Sequence, residues 1–451
     1  MSVAIIRPPD PGPEPGSIEE RLAVALDLLP PLGRADVDIG QTTAGVAPPD
    51  WIAPPAAAAF HSLLGEYVTI VGPHSEADPV ALLTQLLVMA GNAIGRRPYV
   101  QVEADRHHVN LFCTLVGDTS KARKGTARGR AQAAVVAADP DWERLIASGL
   151  SSGEGLIYAV RDRRTTVDED GMEKVVDEGA TDKRLMAIEP EFASVLKVAS
   201  RDGNTVSALL RQAWDSGSLR TLTRKDPLAA TGAHISLIGH ITREELLRRL
   251  DATESANGFA NRFLWPCVRR SKLLPEGGSP DDDMLREWSF ELAAAIAFAR
   301  GRDAIDRDLD ARELWAGEYA RLSEGYPGLV GALLARAEAH TLRLSLLYAL
   351  LDRSPQIRVT HLRAALALWD YCERSVVYLF GDSTGDPDAD TILRALRSSG
   401  SLTRTAIRDL FGRHRGAGQL DQSLALLTER GLARPVSEPT AGRPAEHWHA
   451  T

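Results

Sequence analysis

Five short apolar runs, spaced along residues 99–268, constrain the fold of this chain more than any other feature. They lie at residues 99–102, 109–116, 185–188, 235–238 and 263–268. Apolar runs of this length, separated by segments with helical periodicity, are typical of strands that crossover helices bury on both faces. The sequence therefore predicts an α/β fold with a mainly parallel central sheet.

The rest of the chain divides around this predicted sheet. Apolar residues at helical spacing before the second run, with Ser75 or Asp78 as a cap, predict helices that pack on the sheet. The charged, glycine-containing segment 161–184 predicts an exposed loop or hairpin. The predicted parts are a flexible Pro-rich leader at 1–57, an α/β domain at 58–280, a helical subdomain at 281–380, a linker at 381–390 and a small domain at 391–451.

Charge and cysteine usage exclude several classes of protein. The net charge of the 451 residues is −9, which argues against a surface that is basic throughout. Only the last part of the chain, from residue 390, is locally basic, with nine arginines against six acidic residues. The start lacks the basic-then-apolar order of a signal peptide, and no apolar run is long enough for a membrane helix, so we expect a cytoplasmic protein with no membrane contact. Cys113, Cys267 and Cys372 are isolated, which supports neither a disulfide framework nor a zinc site.

The second apolar run leads into a candidate phosphate loop. The strand VNLFCTLV is followed by Gly117, the loop DTSKARKG and an alanine-rich helix. Phosphate loops need backbone N–H groups at a helix amino end, a lysine for the terminal phosphates and a hydroxyl for Mg²⁺. Lys124, Gly125 and Thr126 supply these groups, with Lys121 and Arg123 as further cationic candidates.

The spacing of this loop differs from the usual GxxxxGK[ST] pattern. Lys124 lies seven positions after Gly117, and Gly125 separates it from Thr126. On spacing alone, the segment is also consistent with an exposed basic turn between a strand and a helix. Whether Arg123 or Lys124 would contact a γ-phosphate stays open at this point.

Polar residues at the ends of later runs favour the phosphate-binding alternative. Glu189 and Glu191 follow the third run, where one carboxylate could hold Mg²⁺ and the other could activate water, although helix capping is the alternative. His240 closely follows the fourth run, where it could be a sensor of the γ-phosphate or a structural histidine. Arg262 directly precedes the fifth run, and it could be an arginine finger for a neighbouring subunit or a member of a structural ion pair.

With these segments in place, the chain resembles an uncharacterised group of bacterial P-loop proteins related to RecA-type replicative helicases, encoded near primases on plasmids and prophages. The resemblance covers residues 75–380 and rests on segments such as HSEADPVALL, VNLFCTLVGDTSKARKGT, RLMAIEPEFASVL, RQAWDSGSLRTLTR, GAHISLIGHIT and NGFANRFLW. It implies a RecA-like P-loop ATPase core that uses ATP and Mg²⁺.

The resemblance also implies roles for individual residues. Gly117, Lys124, Gly125 and Thr126 match the phosphate loop, and Glu191 matches the acidic residue after the Walker B strand. Glu189 and Thr126 become Mg²⁺ ligands, and Glu191, Glu189, His240 and Arg262 the catalytic set. In RQAWDSGSLRTLTR and the next position, Arg220, Arg224 and Lys225 are candidates for contacting single-stranded DNA in a central channel, or form a solvated basic loop.

The last 60 residues predict three short helices and then two strands, the order of a winged helix. Arg404, Arg408, Arg413 and Arg415 lie in or beside the second and third helices, where duplex DNA would bind. Winged helices also serve as protein-binding modules, and that alternative stays open.

Two functional hypotheses follow. The first is an ATP-driven DNA motor or loader, helicase-like, acting as a ring of subunits such as a hexamer in replication of a mobile element. The second is a nucleotide-dependent DNA-binding initiator or regulator without translocation. A third hypothesis is a degenerate, structural ATPase that serves as a platform for a primase partner.

Overall fold

The computed structural model describes residues 51–221, 227–250, 257–326, 328–381, 384, 386–438 and 445–451. The leader predicted at 1–57 therefore lies outside the described residues except for its last seven positions. The helices are α1 (Ser62–Val71), α2 (Pro79–Ile94), α3 (Lys124–Ala138), α4 (Gly153–Ala159), α5 (Phe192–Ala199), α6 (Val206–Asp215), α7 (Arg243–Arg249), α8 (Asp282–Arg300), α9 (Leu309–Ser323), α10 (Gly328–Leu334), α11 (Ala337–Leu351), α12 (Val359–Phe380), α13 (Pro387–Ser399), α14 (Arg404–Leu410) and α15 (Ala417–Glu429). The strands are β1 (Tyr99–Val102), β2 (Asp105–His108), β3 (Phe112–Gly117), β4 (Ile146–Ala147), β5 (Arg164–Val167), β6 (Glu173–Asp177), β7 (Arg184–Glu189), β8 (Leu219–Arg220), β9 (Ala229–Ala230), β10 (His234–Thr242), β11 (Phe263–Leu264), β12 (Cys267–Val268), β13 (Ser401–Thr403), β14 (Ala433–Glu438) and β15 (Ala445–Ala450).

A parallel sheet forms the centre of the fold, as the apolar runs predict. Its order is β11-β3-β10-β7-β4, with β12 also pairing with β3 beyond β11. The central strands are buried on both faces, since all six residues of β3 and the first eight of β10 are buried. The two outer edges are short, because β4 has two residues and Trp265 and Pro266 separate β11 from β12.

The prediction that residues 99–102 belong to this sheet is wrong. Residues 99–102 form β1, which pairs with β2 in a separate antiparallel hairpin. The two-residue β4 takes the outer position instead. The physical reason is the exposure of β1, since only Val100 of its four residues is buried, and a strand this exposed has no apolar surface to place inside a sheet.

Helices cover the sheet, as the periodicity predicts. Helix α2 begins at Pro79 and is capped by Asp78, whose carboxylate accepts a hydrogen bond from the N–H of Val80 (2.9 Å). The cap is therefore Asp78 rather than Ser75. This helix is buried almost all round because it packs on β3, β7 and β10 on one side and on α3 and α8 elsewhere. The charged segment 161–184 contains the exposed hairpin of β5 and β6, in agreement with the prediction.

Residues 282–380 are helical, as predicted, and comprise α8 to α12. They do not form a core of their own, since one continuous apolar core extends from Ala59 to Phe380 and includes both the sheet and α11. Helix α11 is buried over nearly its whole length. The helical part therefore stabilises the sheet directly. The start of the described chain packs here too, with Trp51 5.6 Å from the ring of Tyr378 in α12.

The C-terminal residues form a second apolar core. Helix α13 starts at Pro387, within the segment predicted as a linker, because Asp386 caps it by accepting from the N–H of Ala389 (2.7 Å). The elements follow the order α13-β13-α14-α15-β14-β15, and the antiparallel sheet has the order β13-β15-β14. The second core consists of buried residues from these helices and strands: Ala389, Ile392, Leu393, Leu396, Ile407, Leu420, Leu424, Leu427, Ala433 and Trp448. Within the described part of the chain, no helix has the length and apolar character needed to cross a membrane.

Candidate functional site

The candidate phosphate loop lies at the carboxyl edge of the parallel sheet. Strand β3 ends at Gly117, a 3-10 turn occupies Ser120–Ala122, and α3 begins at Lys124. Thr119 caps the turn by accepting a hydrogen bond from the N–H of Lys121 (3.1 Å). The predicted order of strand, loop and helix is thus present, and the neighbouring strands β10 and β7 end at the same edge.

Lys124 is folded back over this loop. Its residue surface is 8% exposed, and its Nζ donates to the carbonyl of Thr119 (3.4 Å). A Cβ on Gly117 would lie 2.8 Å from that Nζ and 2.6 Å from the Cβ of Ala122, so the close approach requires glycine. Burial lowers the pKa of Lys124, while Glu245, Glu191 and Asp118 oppose that shift.

The amino end of α3 supplies the donors that anion binding needs. The first bond of the helix runs from the N–H of Ala127 to the carbonyl of Arg123 (3.1 Å), so the N–H groups of Lys124, Gly125 and Thr126 point out of the helix end. Gly125 and Thr126 are exposed. Thr126 follows Lys124 by two positions, however, and residues at that helical spacing do not face the same side.

Arg123 is engaged in a different interaction. Its Nε lies 2.6 Å from Oε2 of Glu76, which also pairs with Arg270 and accepts from the N–H of Leu274. The backbone of Arg123 is left-handed, with φ 58°. Because this guanidinium already has an acidic partner, the geometry favours Lys124 over Arg123 as the phosphate ligand. The side chain of Lys121 is exposed on the turn.

His240 reaches the phosphate loop through an amide side chain. Its Nε2 donates to Oε1 of Gln85 (2.9 Å), and Nε2 of Gln85 donates to the carbonyl of Lys124 (3.3 Å). Burial, together with Lys124 and Arg128, lowers the pKa of His240 to about 3, so the ring is neutral at physiological pH. These two bonds connect β10 to the start of α3, which suits a positioning role better than direct phosphate contact.

The two predicted carboxylates have different surroundings. Glu189, at the end of β7, is buried and accepts from the N–H of Leu150 (2.8 Å). Burial raises its pKa, and hydrogen bonds from the Leu150 and Gly149 backbones oppose this. Glu191 is exposed and lies near enough to interact electrostatically with Lys124. Of the two, Glu191 is the exposed carboxylate at this edge.

Arg262 lies away from this edge. It immediately precedes β11, whose Phe263 pairs with Phe112 at the start of β3, and Gly117 is five residues, or about 16 Å, further along that strand. Its guanidinium is buried, with Nη2 2.6 Å from Oδ2 of Asp215. The ion-pair alternative therefore describes Arg262 within this chain. Its role as a finger in a neighbouring subunit stays a prediction, and it would require this ion pair to open.

The predicted DNA-contacting residues are only partly described. Arg224 and Lys225 lie outside the described residues, and Arg220 is exposed at the end of β8. Three of the four C-terminal arginines pair with acidic residues: Arg404 with Asp421, Arg413 with Asp409 (2.8 Å) and Arg415 with Asp388 (2.8 Å). Arg408 is exposed on α14. Helix α15 carries neither lysine nor arginine between Ala417 and Glu429.

Sequence reasoning missed three groups of residues around the loop. Gln85 was hidden among the apolar residues of α2, where a lone buried amide gives no recognisable signal. Thr242 and Glu245 form a capping box at the start of α7, with the Thr242 hydroxyl accepting from the N–H of Glu245 (3.2 Å), and the Thr-x-x-Glu pattern would have revealed it. Arg243, directly after β10, lies over the ring of Tyr378 (4.7 Å).

One cluster with the composition of a metal site lies elsewhere. His61, Asp352 and His361 place their ligand atoms within 4.8 Å of one another. Nδ1 of His361 accepts from the N–H of Arg358 (2.9 Å), so Nε2 carries the proton and donates to Oδ2 of Asp352 (3.0 Å). This tautomer makes the cluster a hydrogen-bonded link between helices. Cys113, Cys267 and Cys372 are buried free thiols.

Comparison with known proteins adds no assignment to this geometry. A scan against protein-family models gave no match, and no curated protein matched the sequence.

Proposed function

We propose that this chain binds a nucleoside triphosphate, ATP, at the carboxyl edge of its parallel sheet. The observation that carries the proposal is the placement of Lys124. Its buried ammonium lies over Gly117, beside the outward-pointing N–H groups of the α3 amino end. A lysine and a helix amino end together form the environment that phosphate groups prefer. The strand order is compatible with a RecA-like core.

The residues around the loop fit hydrolysis with Mg²⁺. Glu191 would orient and deprotonate the attacking water, because it is exposed and near Lys124. Glu189 and Thr126 would hold Mg²⁺, which neutralises charge on the phosphates when bound. His240 would position the loop through Gln85. Arg262 would act on a neighbouring subunit in a ring, once its ion pair with Asp215 opens.

The C-terminal core supports a proposal of a winged helix. A strand after the first helix, a helix pair and a final hairpin, with the sheet order β13-β15-β14, fit that fold. Duplex DNA would meet α14, where Arg408 is exposed, rather than α15, which has no basic residue. Together with Arg220 beside the sheet, this supports a DNA-associated ATPase, a motor or loader of a mobile element.

One observation favours the second candidate, a nucleotide-dependent DNA-binding regulator without translocation. Thr126 does not share a helix face with Lys124, and the carboxylate of Glu189 is occupied by the Leu150 N–H. Both departures weaken Mg²⁺ binding more than phosphate binding. In this candidate, ATP sets the assembly state and hydrolysis is slow.

The first test is nucleotide binding by a Lys124→Ala variant, measured by equilibrium dialysis with labelled ATP. We expect ATP affinity to fall at least tenfold, because a charge-assisted contact to phosphate contributes about 1.5–3 kcal/mol. Lys174→Ala, on the exposed β5–β6 hairpin, is the matched control and should bind ATP normally. Equal affinity in both variants would exclude the site at this loop.

Hydrolysis separates the two candidates. Glu191→Gln keeps the shape of the side chain and removes the base, so a motor should lose DNA-stimulated ATP turnover while still binding ATP. A regulator should show slow turnover that neither DNA nor Glu191→Gln changes. The measurement is phosphate release with and without single-stranded DNA.

A further inference from the structure

A cavity of about 1080 Å³ lies at the amino edge of the sheet, opposite the candidate phosphate loop. Five arginines and three aspartates are among its lining residues. The arginines come from the segment between α2 and β1, from β2 and from the helical part: Arg96, Arg97, Arg106, Arg336 and Arg343. A cavity with this excess of guanidinium groups is unusual on a chain whose net charge is −9.

Arg343 is the most buried member of this set. It is 1% exposed, and its guanidinium donates hydrogen bonds to carbonyl oxygens: Asn110 O (2.9 Å), Asn110 Oδ1 (2.8 Å) and Trp214 O (2.8 Å). Its Nε is buried without a hydrogen-bond partner among the described residues. A buried guanidinium whose hydrogen-bond partners are all neutral oxygens is stabilised when an anion approaches it.

Arg96 shows the same pattern. Its guanidinium donates to the carbonyls of Ala233 (3.2 Å) and Ser216, both neutral groups. Burial lowers the pKa of Arg96 to about 10, in agreement with a charge that lacks a nearby acidic partner. Two arginines at one cavity therefore have carbonyl partners in place of carboxylates.

The three aspartates, Asp105, Asp215 and Asp303, compensate for the charge of the five arginines only in part. Asp215 is shared, since Arg262 binds its Oδ2 (2.6 Å) and Arg336 lies 3.4 Å from its Oδ1. Asp303 is used by Arg97 (3.0 Å). The indole of Trp214 is packed under Arg343 (3.6 Å to the ring centroid), and its buried Nε1 has no hydrogen-bond partner among the described residues.

We propose that this cavity is a second anion site that binds phosphate groups. Arginine forks match the oxygens of a phosphate and are less strongly hydrated than lysine, which suits a partly buried site. The cavity, with a volume of about 1080 Å³, is large enough for more than one phosphate group. Two sources share this chemistry: the backbone of a single-stranded nucleic acid, and a free phosphate or pyrophosphate group.

The position of the cavity connects it to the candidate DNA segment. Ser218 and Gly232 line it, and they flank the β8–β9 hairpin on which Arg220 lies. A strand of nucleic acid that contacts Arg220 would thus pass the rim of the cavity. The site is separate from the phosphate loop, because β3 lies between Asn110 at this edge and Gly117 at the other.

The test uses the full chain and an Arg336→Gln variant, with Arg106→Gln at the exposed rim as a second variant in case the first does not fold. Arg286→Gln, an exposed arginine of α8 outside the cavity, is the matched control for loss of charge. Binding of a labelled oligothymidylate is followed by fluorescence anisotropy over a range of salt concentrations. Pyrophosphate binding is followed by equilibrium dialysis in a Lys124→Ala background, so that the phosphate loop does not contribute.

We expect the cavity variants to weaken phosphate binding about tenfold relative to Arg286→Gln. If the source is nucleic acid, oligonucleotide affinity falls and its salt slope decreases by about one, while pyrophosphate does not bind. If the source is free phosphate, pyrophosphate affinity falls instead. Oligonucleotide and pyrophosphate binding that equal the control in both cavity variants would overturn the inference. Failure of ATP binding at Lys124 is a separate result, since the oligonucleotide measurement does not depend on that residue.

Discussion

At the scale of single residues, the candidate phosphate loop depends on a close approach that only glycine permits. Gly117 leaves no space for a Cβ, whereas Gly125, eight positions later, has no heavy atom within 4 Å of the place where a Cβ would be. Glycine at these two positions of the loop therefore has two different physical roles. Gly117 admits the side chain of Lys124, and Gly125 leaves the helix amino end open.

These two glycines provide a matched pair of variants. Gly117→Ala should destabilise the fold by about 1–3 kcal/mol and lower ATP affinity, because the new methyl displaces Lys124 or Ala122. Gly125→Ala should be neutral or stabilising by up to about 1 kcal/mol, since it replaces a helical glycine in open space. Urea unfolding and ATP dialysis measure both effects. Equal destabilisation by the two substitutions would show that Lys124 does not occupy the described position.

Arg123 explains why the loop deviates from the usual pattern. A left-handed backbone costs a non-glycine residue about 1 kcal/mol, and the usual pattern has glycine before the lysine. Here the ion pair of Arg123 with Glu76 offsets part of that cost. No reading of the local spacing could foresee this compensation, because Glu76 lies 47 positions earlier in the chain.

At the scale of elements, the link between α1, α11 and α12 is the feature most open to measurement. Asp352, just after α11, accepts from His61 (2.6 Å), just before α1, and from His361 (3.0 Å) in α12. Burial raises the pKa of Asp352, but hydrogen bonds from His361, His61 and Ser62 outweigh it and hold the pKa below its usual range. Glu66 interacts electrostatically with Asp352, and burial together with Asp352 and Glu291 raises the pKa of Glu66.

The lowered pKa of Asp352 determines the direction in which the stability of the fold changes with pH. The ionised carboxylate contributes stability that is fully present above the unfolded pKa of about 4 and is lost as the pH falls below it. Asp352→Asn should therefore lower the free energy of unfolding by about 1–3 kcal/mol at pH 7, and by less at acidic pH. Urea unfolding at both pH values, with the exposed Asp310→Asn as control, tests this. A constant difference across pH would contradict the assignment.

The sequence predicts most of the elements and only part of the site. The parallel strands β3, β7 and β10 could be predicted because each contains an apolar run of the kind expected for strands buried on both faces. Strand β4 and strand β13 could not, since two or three residues carry no periodicity, and pairing with β7 or β15 alone defines them. Lys124 and Glu191 were found from local order, whereas Gln85 and the arginines around Trp214 meet only through contacts distant in sequence.

At the scale of the whole molecule, the described chain has two apolar cores that share no residue. One extends from Ala59 to Phe380, and the other lies between Ala389 and Trp448. Residues predicted as an ATPase domain and a helical subdomain belong to the same core. Among the described residues, the boundary between the two apolar cores therefore falls between Phe380 and Ala389, within the predicted linker at 381–390.

The separation of the two apolar cores predicts that a mutation in one core destabilises that core and leaves the other unchanged. Trp448→Ala should remove about 3–5 kcal/mol from the C-terminal core and expose its amides, while leaving the protection of residues 59–380 unchanged. Trp265→Ala, in the larger core, should do the reverse. Amide hydrogen exchange followed by mass spectrometry resolves the two regions. Loss of protection in both regions after Trp448→Ala would show that the cores unfold together.

The short outer strands of the central sheet have a consequence for association. Trp265 and Pro266 divide one edge into two pairs of residues, and β4 leaves only two residues at the other. A strand from another chain could not add to either edge over a useful length, which protects the sheet from edge-to-edge aggregation. Copies of this protein that assemble are therefore not expected to join their central sheets through these two edges, and each central sheet would remain discrete in an oligomer.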